Sequence, residues 1–338
     1  MIEVSGLTKR YGGHTAVENL NFKIEKGHIY GFLGPNGAGK STTMNILTGC
    51  LAATEGEVKI GGFDIFAEAE KAKRLIGYLP EQPPLYLDMS TDEYLSFVAR
   101  AKGLKGGELK RQLDYVKAVT GISEVSRRLI KNLSKGYRQR VGIAQALLGD
   151  PEVIILDEPT VGLDPKQITE IRELIKSLGE KHTVILSSHI LSEVRAVCDE
   201  IIIISGGQLK AVDTPENLER LFAGQSALEL VVKAGPEEVK EAVQELEGIN
   251  ELSCEALDGG KTKVTIGSDK AEELCEEVFF AFCRIGKPIL KMNLTGASLE
   301  EVFLELTKSE ASDKAETPHP LRRSSPEGEL MDKEESDK

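Results

Sequence analysis

Short unbroken runs of apolar, largely β-branched residues alternate with stretches of helical period over the first two-thirds of the chain. Ile29-Tyr30-Gly31-Phe32-Leu33, Val153-Ile154-Ile155-Leu156, Val184-Ile185-Leu186 and Ile201-Ile202-Ile203-Ile204 contain almost no polar residue, the pattern of strands covered on both faces. Residues 164–178 instead place Ile168, Ile171, Leu174, Ile175 and Leu178 on one helical face, behind Asp164 as a cap and Pro165 in the first turn. The alternation predicts an α/β fold whose central sheet is largely parallel.

The strand signal fades between residues 93 and 148, where Leu95, Val98, Ala99, Leu109, Leu113, Val116 and Val119 recur at helical spacing around glycine-rich breaks. This predicts a helical subdomain, at about 88–150, inserted into a first domain spanning 1–220. Beyond it, strand (228–232), helix (236–246), strand (252–257), strand (263–266), helix (270–282) and strand (289–294) follow one another. The order βαββαβ is ferredoxin-like and predicts a small α+β domain over 225–308. A last helix (298–306), with Ser298 as its cap, is expected to pack Leu299, Val302, Phe303 and Leu306 against that domain. Residues 309–338 are rich in Ser, Pro, Glu, Asp and Lys, and are expected to form a disordered acidic tail.

Charge and cysteines narrow the function classes. With 42 Lys and Arg against 55 Asp and Glu, the formal charge of −13 disfavours a general attraction to nucleic acid or anionic lipid. The 5 cysteines show neither C-x-x-C nor zinc-finger spacing, so reduced thiols are expected in place of disulfides or a metal site. The N-terminus lacks a basic-then-apolar leader, and no cleavage is expected. Every apolar run is far shorter than the roughly 18–20 residues that span a bilayer, so no direct membrane insertion is expected.

Chemistry concentrates at the ends of the predicted strands. Gly34-Pro35-Asn36-Gly37-Ala38-Gly39-Lys40-Ser41-Thr42 matches the P-loop pattern G-x-x-x-x-G-K-[ST] between a strand and a helix. Its backbone N–H groups can cradle phosphate, with Lys40 for the β- and γ-phosphates of ATP and Ser41 for Mg2+. The run 153–156 ends in Asp157-Glu158. Two acids there can be plain turn residues, but behind a P-loop Asp157 suits the metal and Glu158 a general base for water.

Leu133-Ser134-Lys135-Gly136-Tyr137-Arg138-Gln139-Arg140 resembles the signature motif of ABC ATPases, departing from the common L-S-G-G-Q at Lys135 and Tyr137. The resemblance covers roughly residues 1–218 and implies a P-loop NTPase fold of the ABC ATPase type. It also implies a head-to-tail dimer in which Ser134 and Gly136 reach the γ-phosphate on the other subunit. Tyr11 resembles the aromatic that stacks on adenine, and Gln82 the glutamine that senses magnesium and water. Asp164 resembles the acid of the dimer seam, and His189 the switch histidine beside the γ-phosphate. Taken singly, Tyr11 also fits a half-buried aromatic, Gln82 a loop residue, Asp164 a helix cap and His189 a capping or satisfied polar group. Tyr137 fits equally a place under the signature helix or a contact with a partner.

The whole layout resembles ATPase subunits of two-component bacterial exporters. It implies an ATPase that is cytoplasmic, peripheral on the inner face of the membrane and docked on a separate integral membrane permease. Because both halves of the site are complete in this chain, a homodimer is the economical expectation, with pairing to a homologous ATPase as its alternative. The alternatives are an importer ATPase, and a non-transport ABC protein acting on ribosomes or DNA. Against the last stand the single cassette and the acidic charge.

Overall fold

The computed structural model describes residues 1–222, 227–244, 246–268, 271–295 and 299–308. The expected disordered tail and the Ser298 cap lie outside the described residues. The chain begins with β1 (Ile2–Tyr11), β2 (His14–Ile24), β3 (Ile29–Leu33), α1 (Lys40–Leu47), β4 (Glu55–Ile60), β5 (Phe63–Asp64), α2 (Ala69–Arg74) and β6 (Ile76–Leu79). Three helices follow, α3 (Thr91–Ala101), α4 (Gly106–Val119) and α5 (Lys135–Leu147). The chain then returns through β7 (Val153–Asp157), α6 (Pro165–Gly179), β8 (Thr183–Ser188), α7 (Leu191–Val197), β9 (Glu200–Ser205), β10 (Gln208–Asp213) and α8 (Pro215–Phe222).

The central sheet has the order β10-β9-β3-β8-β7-β6, parallel except for β10. The middles of β3, β7, β8 and β9 are apolar because both faces are covered, whereas the edge strand β10 carries Gln208, Lys210 and Asp213 and is only partly buried. Ile154, Leu156, Val184, Leu186, Ile201 and Ile203 enter one core, shared with α5, α6 and α7. Val153, Ile155, Ile185, Ile202 and Ile204 enter another, beneath the N-terminal sheet. That second sheet, β2-β1-β4-β5, is antiparallel and has no counterpart in the strands read from sequence. Register shifts between Val4 and Leu7, Leu7 and Lys9, and Lys9 and Arg10 interrupt the two-residue alternation that would have revealed it.

The predicted helical insertion is α3 to α5. Ser90 caps α3 through a reciprocal box with Glu93, and Tyr94, Leu95 and Ala99 turn into the core. β11 (Ala227–Val232), α9 (Pro236–Val243), β12 (Glu251–Leu257), β13 (Lys261–Gly267), α10 (Ala271–Arg284) and β14 (Ile289–Thr295) follow in the order βαββαβ. Their antiparallel sheet runs β12-β13-β11-β14. This is the strand order of a ferredoxin-like unit.

One packing expectation is corrected. The last helix, α11 (Leu299–Lys308), does not lie on the C-terminal unit. Leu299 and Val302 are fully buried in the core shared with α5, α6 and α7, beside Ile201, Ile203 and Leu218, and Phe303 and Leu306 pack against the same cluster. α11 contacts α8 and β9. The reason is competition for apolar surface: α9 and α10 already cover the C-terminal sheet through Val239, Val243, Leu274, Val278 and Phe282.

Candidate functional site

The parallel strands deliver the chemistry to one edge, the carboxyl ends where open α/β sheets bind ligands. β3 ends at Leu33 before Gly34, β7 ends at Asp157 before Glu158, and β8 ends at Ser188 before His189. A cavity of about 490 Å³ opens there, lined among others by Tyr11, Asn36, Gly37, Gly39, Lys40, Ser41, Thr42, Glu158 and His189.

The loop after β3 can fold so tightly only with glycine at two of its positions. A Cβ on Gly34 would stand 2.4 Å from the Ile204 carbonyl oxygen. Gly39 has φ +102°, and its Cβ would stand 2.6 Å from the Ala16 carbonyl. Thus the backbone can turn its N–H groups toward an anion. Lys40 opens α1, is 6% exposed and donates to the carbonyls of Gly34 (2.8 Å) and Pro35 (3.3 Å). Burial lowers its pKa from the ordinary lysine value, while Glu158, Asp157 and Glu81 pull it back toward the charged form.

The adjacent acids are held differently. The Asp157 carboxylate accepts from Ser187 Oγ (2.5 Å) and Ser41 Oγ (3.4 Å), and is 2% exposed. A hydroxyl and a carboxylate so placed are hard oxygen donors, suited to magnesium, which keeps most of its ligands as water and phosphate. Glu158 has φ 48°, in the left-handed region that residues with a side chain seldom adopt. Its N–H donates to Ser187 Oγ (2.9 Å), and its carboxylate lies 2.9 Å from His189 Nδ1 and 3.8 Å from Lys40 Nζ. A carboxylate, an imidazole and an ammonium therefore share one wall of the cavity.

Ser134, Gly136 and Asp164 are not in this cavity. They line a second one of about 470 Å³, with Gly121, Tyr137, Arg140, Lys166, Gln167 and Glu170. Ser134 caps α5 by accepting the Tyr137 N–H (3.4 Å), and Asp164 caps α6 by accepting that of Gln167 (2.9 Å). Tyr137 packs partly against the core and lines the second cavity, its hydroxyl bonded to Glu124. Gln82 is exposed and does not line the first cavity, whereas its neighbour Glu81 does. Tyr11 is 49% exposed at the rim, with Lys9 Nζ 5.1 Å from its ring centre. Sequence reasoning missed Ser187, whose only signal is a pair of serines closing an apolar strand. It also missed His14, Ala16, Glu81 and Val161, which carry no motif of their own.

The ABC transporter family profile matches residues 17–161. The chain is 33% identical over 308 residues to the linearmycin resistance ATP-binding protein LnrL of Bacillus subtilis, covering 91% of this chain and 98% of that protein. The chain belongs to the ABC transporter family. It is an ATP-binding subunit and an ATPase. The lantibiotic transport ATP-binding protein SrtF of Streptococcus pyogenes is 40% identical over 233 residues, 68% of this chain and 99% of its own. An ATP-binding cassette solved as a dimer in a post-hydrolysis state with ADP and Pi superposes with TM-score 0.58 at 29% identity, covering 63% of this chain and 98% of that one. Among the described residues of this ABC ATPase, no helix is long and apolar enough to cross a membrane.

Proposed function

We propose that this ATPase hydrolyses Mg-ATP in a head-to-tail dimer and drives export through a separate membrane permease, itself staying peripheral on the cytoplasmic face. The observation that carries the reading is the separation of two half-sites within one subunit. The cavity around Lys40, Glu158 and His189 contains neither Ser134 nor Gly136, which line the second cavity instead. A signature motif that cannot serve its own P-loop is useful only to another subunit's, and a C2 pair satisfies both sites at once.

In this mechanism residues 34–42 and Lys40 hold the phosphates, Tyr11 stacks on the base, and Ser134 and Gly136 of the other subunit close over the γ-phosphate. Ser41 and Asp157 would hold magnesium, which would supply neutralisation of phosphate charge; Gln82, exposed and outside the first cavity here, is assigned to its waters by the family resemblance alone. Glu158 takes the proton of the attacking water, His189 steadies that carboxylate and faces the γ-phosphate, and Asp164 organises the seam. Exclusion of water on closure strengthens each of these charges. Export is supported by relatives named for linearmycin resistance, lantibiotic transport and bacitracin transport.

Glu158→Gln tests the reading, because the amide keeps the shape but cannot accept the proton. Size-exclusion chromatography with Mg-ATP should show a dimer that Mg-ADP does not support, with turnover abolished. Hydrolysis at the parental rate would remove Glu158 from the role of base, and a monomer at high protein concentration would count against the shared site.

A further inference from the structure

Behind the wall that carries Glu158 and His189 lies a buried carboxylate that the mechanism above does not use. Glu193, in the first turn of α7, is 4% exposed. Its Oε2 accepts hydrogen bonds from Thr160 Oγ1 (2.5 Å) and Ser188 Oγ (3.2 Å), and Arg172 of α6 stands 3.9 Å from Oε1. Thr160 lies two residues after Glu158, and Ser188 immediately precedes His189. Ser188 Oγ in turn accepts the Ile190 N–H (3.0 Å), so the backbone on both sides of His189 is pinned by one hydroxyl.

A buried carboxylate is costly unless its charge is matched, and here two hydroxyl donors and one nearby guanidinium come from three separate segments. The loop after β7, the turn after β8 and helix α6 are tied to one oxygen pair. From these observations we infer that Glu193 is a positioning residue for hydrolysis, locking the Glu158 loop to the His189 turn so that the carboxylate and the imidazole keep their 2.9 Å contact. Through Arg172 the same clamp reaches α6, whose cap Asp164 and first-turn Gln167 line the second cavity. The loop from Thr160 to Asp164 thus leaves the clamp on its way from one cavity to the other. The inference rests on the assignment of Glu158 and His189 to the reaction.

The test is steady-state ATPase of the full chain carrying Glu193→Ala, Glu193→Gln or Thr160→Val, with Glu158→Gln in parallel and the folding of each checked by melting. Glutamine retains a carbonyl oxygen for the two hydroxyls, whereas alanine leaves both O–H donors without that acceptor. Loosening a catalytic group by about 1 Å costs roughly 10²-fold in rate. Glu193→Ala should therefore lower kcat by about 10- to 100-fold with KM for ATP within about twofold. Thr160→Val should lower it in the same direction, and Glu193→Gln should recover most of the loss. A role in stability alone would lower the melting temperature of Glu193→Ala and leave kcat at parental value well below the transition. That result, or equal loss in the Gln and Ala variants, overturns the inference. If Glu193→Ala does not fold, the kcat of Thr160→Val and of Glu193→Gln decides, parental values in Thr160→Val overturning it. An active Glu158→Gln would instead overturn the underlying assignment of the base, separating the two failures.

Discussion

Ser187 offers the sharpest quantitative test of how the two acids are held. It is fully buried at the end of β8, donating to the Asp157 carboxylate at 2.5 Å and accepting the Glu158 N–H at 2.9 Å. Ser187→Ala deletes both bonds and leaves a buried N–H without a partner, a cost of about 1–3 kcal/mol. It also strips a buried carboxylate of its shortest hydrogen bond, and bonds to charged groups contribute about 1.5–3 kcal/mol. Since one atom serves both, we expect a combined loss of about 2–4 kcal/mol, not the sum of the upper limits. Urea unfolding of the nucleotide-free protein should show a lower midpoint with an unchanged slope. At about 2–4 °C per kcal/mol for a unit of 150–250 residues, the melting temperature should fall by roughly 4–16 °C. Ser126→Ala, which removes an exposed hydroxyl bonded only to the Ser123 carbonyl, is the control and should stay within about 0.5 kcal/mol of parent. A Ser187→Ala variant as stable as that control would refute the argument that this hydroxyl organises both acids.

Lys40→Met should cut ATP turnover by about 10²-fold or more, read in a steady-state phosphate-release assay. It should not lower the nucleotide-free melting temperature, since burial already opposes the ammonium. Gly39→Ala combines a φ of +102° with a Cβ 2.6 Å from the Ala16 carbonyl, so it should destabilise by about 1–3 kcal/mol in urea and abolish ATP retention in equilibrium dialysis. Cys198 is buried, and burial with Asp199 beside it pushes its thiol pKa far up. The folded state therefore keeps a proton that the unfolded state loses above about pH 8.5, so this thiol's contribution is complete below that pH and wanes as pH rises. The stability gap between parent and Cys198→Ala should accordingly narrow from pH 8 to 10. A thiol reagent at pH 8 should reach the exposed Cys50 and Cys283 in the native protein and Cys198 only after unfolding.

The legible parts of this molecule are those whose signal is local. The central strands could be read because covering both faces leaves no polar residue in β7 before Asp157. The P-loop could be read because phosphate binding fixes glycines and a lysine at set spacing. The N-terminal sheet was illegible because bulges break its alternation, and Ser187 and Glu193 because their partners lie about 30 residues away along the chain for every bond except that to Ser188. The packing of α11 failed for a related reason: an amphipathic helix announces which face it buries, but not against which of two cores. Ser134 and Gly136 were legible as a motif and expected to act on another subunit, and the fold accordingly puts them in a cavity distinct from that of Lys40.

The return of α11 to the cassette makes the C-terminal unit an insertion and not an appendage. Both of its ends are moored, at α8 on one side and at α11 on the other, and α8 and α11 touch each other. The chain therefore enters the unit after α8 and leaves it before α11, two helices that touch, so the unit is joined to the cassette at neighbouring points. The same mooring dictates where the chain tolerates surgery. Cutting after α8 removes Leu299 and Val302 from the cassette interior and opens an apolar trench. Excising residues 227–295 and rejoining the strands of chain at that base leaves the interior whole, because the two ends to be joined belong to helices already in contact.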